Sequence, residues 1–86
     1  MRLIYEKNFL KSARLLPTSI QHQLAQQLER IQKDPRDPQL HSKMLSGKLM
    51  GFSSFRITRD YRTIFQYINQ NTIQLLIVKH RKDIYR

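Results

Sequence analysis

Three runs decide the fold: Phe52-Ser53-Ser54-Phe55-Arg56-Ile57-Thr58-Arg59, Tyr61-Arg62-Thr63-Ile64-Phe65-Gln66-Tyr67-Ile68-Asn69, and Thr72-Ile73-Gln74-Leu75-Leu76-Ile77-Val78-Lys79-His80. Each is rich in β-branched and aromatic residues and has the length of a strand. Asn69-Gln70-Asn71 forms a hairpin signal between the last two. Side chains alternate along a strand, so Ser54, Arg56 and Thr58 are assigned to one face and Phe55, Ile57 and Arg59 to the other. In the next strand Arg62, Ile64, Gln66 and Ile68 oppose Tyr61, Thr63, Phe65 and Tyr67. One face of this sheet is therefore only partly apolar and is expected to gather charge.

Upstream, Leu3 and Tyr5 alternate with Arg2 and Ile4 in a short first strand. Phe9, Ala13 and Leu16 then mark one face of a short helix that Pro17 closes. Thr18 or Ser19 is expected to cap a second helix, in which Ile20, Leu24, Leu28 and Ile31 form an apolar stripe opposite Gln21, Gln23, Gln26 and Arg30. Pro35 and Pro38 end it, because proline lacks an amide donor and biases its predecessor away from helical geometry. A crossing loop follows, holding Gly47 and Gly51 where a positive φ or a close backbone approach is expected. The resulting order, β-α-α-β-β-β, describes an α+β domain with two N-terminal helices packed on a small, mainly antiparallel sheet.

Residues 1–86 form a single domain of modest core. Sixteen Lys and Arg against six Asp and Glu leave a net charge of +10, which points to a polyanionic partner. Basicity leans toward the sheet: from residue 47 onward 8 Lys and Arg face 2 Asp, a net +6, against +4 for the rest. The absence of cysteine excludes a disulfide framework, thiolate metal ligands and a cysteine nucleophile. His22, His41 and His80 lack zinc-ligand spacing, so neither metal nor cofactor is expected. With no long apolar run, a cytoplasmic protein with no membrane role is the simplest reading.

The last strand runs into His80-Arg81-Lys82-Asp83-Ile84-Tyr85-Arg86, where imidazole, guanidinium, ammonium and phenol groups crowd the end of a buried strand. That mixture suits phosphate chemistry. Histidine changes charge near neutral pH and can move a proton, while arginine stays charged and grips two phosphate oxygens with its planar fork. Simpler readings stand beside these: His80 as a strand cap, Arg62 paired with Asp60 or Asp83, and Tyr85 packed on the sheet as a C-terminal lock.

Leu45-Ser46-Gly47, Phe55-Arg56-Ile57-Thr58, Asp60-Tyr61-Arg62-Thr63-Ile64-Phe65 and Val78-Lys79-His80-Arg81-Lys82-Asp83-Ile84-Tyr85, in that order, resemble the RelE/ParE superfamily of bacterial and archaeal toxins across nearly the whole chain. The resemblance implies the toxin of a type II toxin-antitoxin system, neutralised by a cognate antitoxin protein. RelE-like members are metal-independent endoribonucleases that cut mRNA, usually on the ribosome; ParE-like members inhibit DNA gyrase. The RelE-like reading is favoured, with a gyrase inhibitor as the first alternative and a noncatalytic RNA-binding module as the second.

On that resemblance, His80, Arg62, Arg56 and Tyr85 are the candidate catalytic residues. Arg56, Arg62, Lys79, Arg81, Lys82, Lys48 and Lys43 are the candidate RNA-phosphate ligands. Two departures stand out. Arg56 and Thr58 occupy places where some relatives carry lysines, and Gln39 occupies the place where YoeB-like relatives carry a glutamate base. His41 is a substitute that could enter from the loop.

Overall fold

The computed structural model describes residues 1–84. The chain runs β1 (Arg2–Tyr5), α1 (Lys7–Arg14), α2 (Thr18–Lys33), β2 (Lys43–Met44), β3 (Ser53–Arg56), β4 (Tyr61–Asn69), β5 (Thr72–His80) and α3 (Arg81–Ile84), with single 3-10 turns at Pro38–Leu40 and Gly47–Leu49. Its five strands lie in the order β1-β5-β4-β3-β2, with β1 parallel to β5 and every other pair antiparallel. This is the expected α+β architecture with three additions or corrections. A two-residue strand, β2, forms inside the expected crossing loop. The strand expected over 52–59 is regular only from Ser53 to Arg56, and the charged terminus begins with a helical turn.

The cap of α2 also differs. Thr18 is already helical and Pro17 occupies the cap position, its carbonyl accepting the amides of Ile20 and Gln21. Proline suits this place because it has no amide to leave unsatisfied. Gln21, expected on the polar face, instead donates its side-chain amide to the carbonyls of Ala13, Arg14 and Leu16, at and just beyond the end of α1. Gly47 and Gly51 have φ of 65° and 94°, the positive values for which glycine was expected there.

Both helices cover one face of the sheet. Phe9, Leu24, Ile31, Leu40, Phe55, Phe65, Ile73, Leu75 and Val78 form the main core there. Phe55 is fully buried and packs against Phe65 with the rings tilted at 45° and their centroids 5.8 Å apart. Phe55→Ala is expected to cost about 3–5 kcal/mol, a large share of the roughly 5–15 kcal/mol typical of a domain. Urea unfolding measures it. A loss below ~1 kcal/mol would contradict the packing described here.

A smaller cluster of Leu45, Ile64 and Ile84, joined by Leu49, Phe52, Leu76 and Ile77, lies apart from the main core. Leu76 and Ile77 reach it together because β5 carries an irregularity: Ile64 pairs with Ile77 and Phe65 with Leu75, leaving Leu76 without a partner. A bulge of this kind inserts one residue and reverses the alternation beyond it. Val78 therefore returns to the helix side, and its amide donates to Ser12 Oγ of α1 at 2.9 Å.

Candidate functional site

The bulge decides which charges meet. Arg56 of β3, Arg62 of β4 and Lys79 of β5 are direct neighbours in the register, so three cations form a row on the sheet face opposite the helices. Like charges directly opposed destabilise a sheet. Two donors in the row go further: Arg56 Nε and Arg62 Nη1 are buried and have no hydrogen-bond partner among the described residues. Native structures rarely leave buried donors in this condition, and each such group calls for a physical explanation.

Neither carboxylate considered as a partner for Arg62 neutralises it. Asp60 pairs with Arg81 at 4.0 Å between side chains that are each about half exposed, an arrangement worth little. No ion pair joins Arg62 to Asp83 among the described residues. A guanidinium fork suits an anion with several acceptor oxygens, and phosphate has that geometry.

At the end of β5 the chain turns sharply into α3. The Arg81 amide donates to the Asp60 carbonyl at 2.7 Å, which ties this turn to the one before β4. His80 Nδ1 accepts the Lys82 amide at 3.3 Å, so it caps the first turn of α3 rather than the strand, and a neutral ring in this role carries its proton on Nε2. The ring also stands edge-on to Tyr61 at 5.3 Å, which restrains its orientation. These contacts open a cleft of about 760 Å³ lined by Lys43, Asp60, Arg62, His80, Arg81 and Lys82.

Five of the residues read from the sequence thus share one cleft: Arg62, His80, Arg81, Lys82 and Lys43. Arg56 lies beside Arg62 in the strand register without lining the cleft itself. Lys48 and Lys79 instead rim a neighbouring hollow of about 520 Å³ whose apolar floor is Leu45, Ile64 and Ile84. His41 lines a separate groove with Met44 and Tyr67, and Gln39 is exposed in the 3-10 turn. Tyr85 lies outside the described residues. Among the described residues, no three His, Asp or Glu side chains converge as metal ligands would, and no helix is long and apolar enough to cross a membrane.

Two residues acquire a place that the sequence reading did not assign them. Asp60, in sequence terms a possible partner for Arg62, brings a carboxylate to the cleft that His80 also lines. Gln27, 5% exposed, faces inward from α2. The signal for it was present: Gln27 stands three residues after Leu24 and four before Ile31, on the apolar stripe itself.

No protein-family model matches the chain. Toxin HigB-1 of Vibrio cholerae serotype O1 is 31% identical over 77 residues, an alignment covering 83% of this chain and 81% of that protein. The chain belongs to the RelE/ParE superfamily of toxins. Solved structures share the fold of this RelE/ParE toxin at lower identity. The YoeB/ParE toxin of Agrobacterium tumefaciens superposes with a TM-score of 0.78 at 13% identity, covering 93% of this chain and 98% of that one. The RelB-RelE antitoxin-toxin complex of Methanococcus jannaschii gives 0.75 at 25% identity, covering 95% and 94%.

Proposed function

We propose that this RelE/ParE toxin is a metal-independent endoribonuclease that cuts mRNA on the ribosome. The observation that carries the reading is the cleft in which His80, Asp60 and Arg62 stand together, with Arg81 and Lys82 on its wall. Cleaving RNA without a metal or an enzyme nucleophile needs the substrate's own 2′-hydroxyl, together with a base, an acid and cations for the phosphorane.

In this reading Asp60 takes the 2′-hydroxyl proton. The 2′-oxygen then bonds to phosphorus and the bond to the 5′-oxygen breaks, leaving a 2′,3′-cyclic phosphate and a 5′-hydroxyl. His80 presents Nε2–H to the phosphate in its neutral, capping state. As imidazolium it gives the 5′-oxygen its proton, and the Nδ1–H that this form carries cannot accept the Lys82 amide. Arg62, with Arg56 behind it, binds the phosphate oxygens and opposes the charge of the phosphorane, while Arg81, Lys82 and Lys43 hold the flanking backbone.

The test is brief induction followed by mapping of transcript ends, with and without translation. Codon-phased cuts that require translation are the expected result. Intact transcripts with arrested supercoiling would replace this reading with gyrase inhibition, and neither effect would leave a noncatalytic RNA-binding module.

The same basic face suits an antitoxin segment rich in carboxylates, and the Methanococcus jannaschii relative is seen with its antitoxin. The cognate antitoxin is expected to bind at about 0.15 M salt and to weaken as ionic strength rises, because attraction between opposed charged surfaces is screened over a Debye length of roughly 8 Å. Titration calorimetry across a salt series checks this. A pair that fails to associate at moderate salt would show that this face does not bind the antitoxin.

A further inference from the structure

Gln27 occupies a place that the proposed chemistry does not explain. Its side-chain amide donates to the Arg56 carbonyl at 2.7 Å and to the Gln39 carbonyl at 3.0 Å, while its oxygen accepts Arg30 Nη1 at 2.7 Å. One buried amide therefore joins α2, the Pro38–Leu40 turn and the last residue of β3. The sheet itself leaves this gap. Pairing of β2 with β3 ends at Lys43 and Ser54, two residues before Arg56, so no strand borders the Arg56 carbonyl on that side. Gln27 takes the place of the missing strand.

The position matters because of what Arg56 must withstand. It faces Arg62 across the strands, and each guanidinium holds a buried N–H without a partner among the described residues. Repulsion between opposed cations favours moving one strand end away from the other. β3 is regular for only four residues and, beyond Arg56, is held to β4 only where the Ile57 and Thr58 amides share the Tyr61 carbonyl, at 2.9 and 3.4 Å. A hydrogen bond from a packed helix to the Arg56 carbonyl resists that movement on the side where pairing is absent.

We infer that Gln27 is a positioning residue of the phosphate site: its amide clamps the end of β3 so that the Arg56 and Arg62 guanidinium groups stay together and act on one phosphate. This rests on reading those two arginines as phosphate ligands. Core filling alone would need only the volume of the side chain, which methionine supplies without the amide. The clamp needs the amide donor.

The decisive measurement is a double-mutant cycle with inorganic phosphate as the probe, followed by the NMR signals of the arginine Nε–H groups. In the wild type, phosphate is expected to shift Arg56 and Arg62 together. Gln27→Met is expected to weaken that binding about fivefold, the worth of roughly one hydrogen bond. In an Arg56→Ala background the same change is expected to alter phosphate binding to Arg62 less than twofold, because its effect runs through Arg56. An equal loss in both backgrounds, or none in either, overturns the inference.

Should Gln27→Met fail to fold, the wild type decides. The Gln27 side-chain amide signals must move with those of Arg56 on phosphate addition, and their staying still overturns the clamp. RNA cleavage is read separately, with kcat expected to fall about tenfold in Gln27→Met and KM to change less. A wild type that binds phosphate at Arg56 but cuts no RNA refutes the nuclease and leaves the clamp standing. A wild type whose Arg56 ignores phosphate refutes the clamp.

Discussion

Arg62→Met is expected to lower RNA cleavage by about 10²–10³-fold, the usual cost of removing one preorganised donor from a developing charge, and to make the protein more stable. The second half discriminates. Methionine keeps much of arginine's aliphatic stem, so little apolar contact is lost. What disappears is a cation opposed by Arg56 on one strand and by Lys79 on the other, with Nη1 buried and unpartnered among the described residues. Relief of the unmet donor alone is worth about 1 kcal/mol or more.

Urea midpoints of the two proteins give the stability difference, and initial rates on a short RNA give the activity difference. Loss of stability in Arg62→Met would show that the guanidinium has a structural role and would count against the anion site. Gain of stability with loss of cleavage is the pattern of a group retained for function at the fold's expense.

His80 calls for a pair of substitutions, because it has two roles in the structure. His80→Ala and His80→Asn are both expected to reduce cleavage by about 10²–10⁴-fold, the range for loss of a proton-transfer group. They differ at α3. The Asn oxygen can accept the Lys82 amide in place of Nδ1, whereas alanine cannot, so only His80→Ala is expected to fray α3. Amide hydrogen exchange at Lys82 reports the cap and RNA cleavage reports the chemistry. Cleavage retained by His80→Asn would reduce His80 to a cap and leave the proposed reaction without its acid.

Much of this was legible in order and type. Proline and glycine positions, the apolar stripe of α2 and the three β-rich runs depend on local conformational preference and on burial of a contiguous face, both written in short windows of sequence. β2 was not legible: Lys43 and Met44 are both exposed, and only pairing with Ser54 and Ser53 makes them a strand. The role of Gln21 was hidden for a similar reason. Its partners are carbonyls at and just beyond the end of α1, five to eight residues back in the chain, and only the turn between the helices brings them within reach.

The α+β class, the basic character and the types of group that crowd the end of the last strand follow from composition and periodicity alone. Which groups share a face was decided by the tertiary structure. Strict alternation from Ile73 and Leu75 would carry Ile77 and Lys79 to the helix side. The unpaired Leu76 reverses that order, so Lys79 joins Arg56 and Arg62 while His80 turns toward Tyr61 at the cleft. A bulge is a compromise between two strands and the layers packed on them, and no window within one strand contains all of those partners.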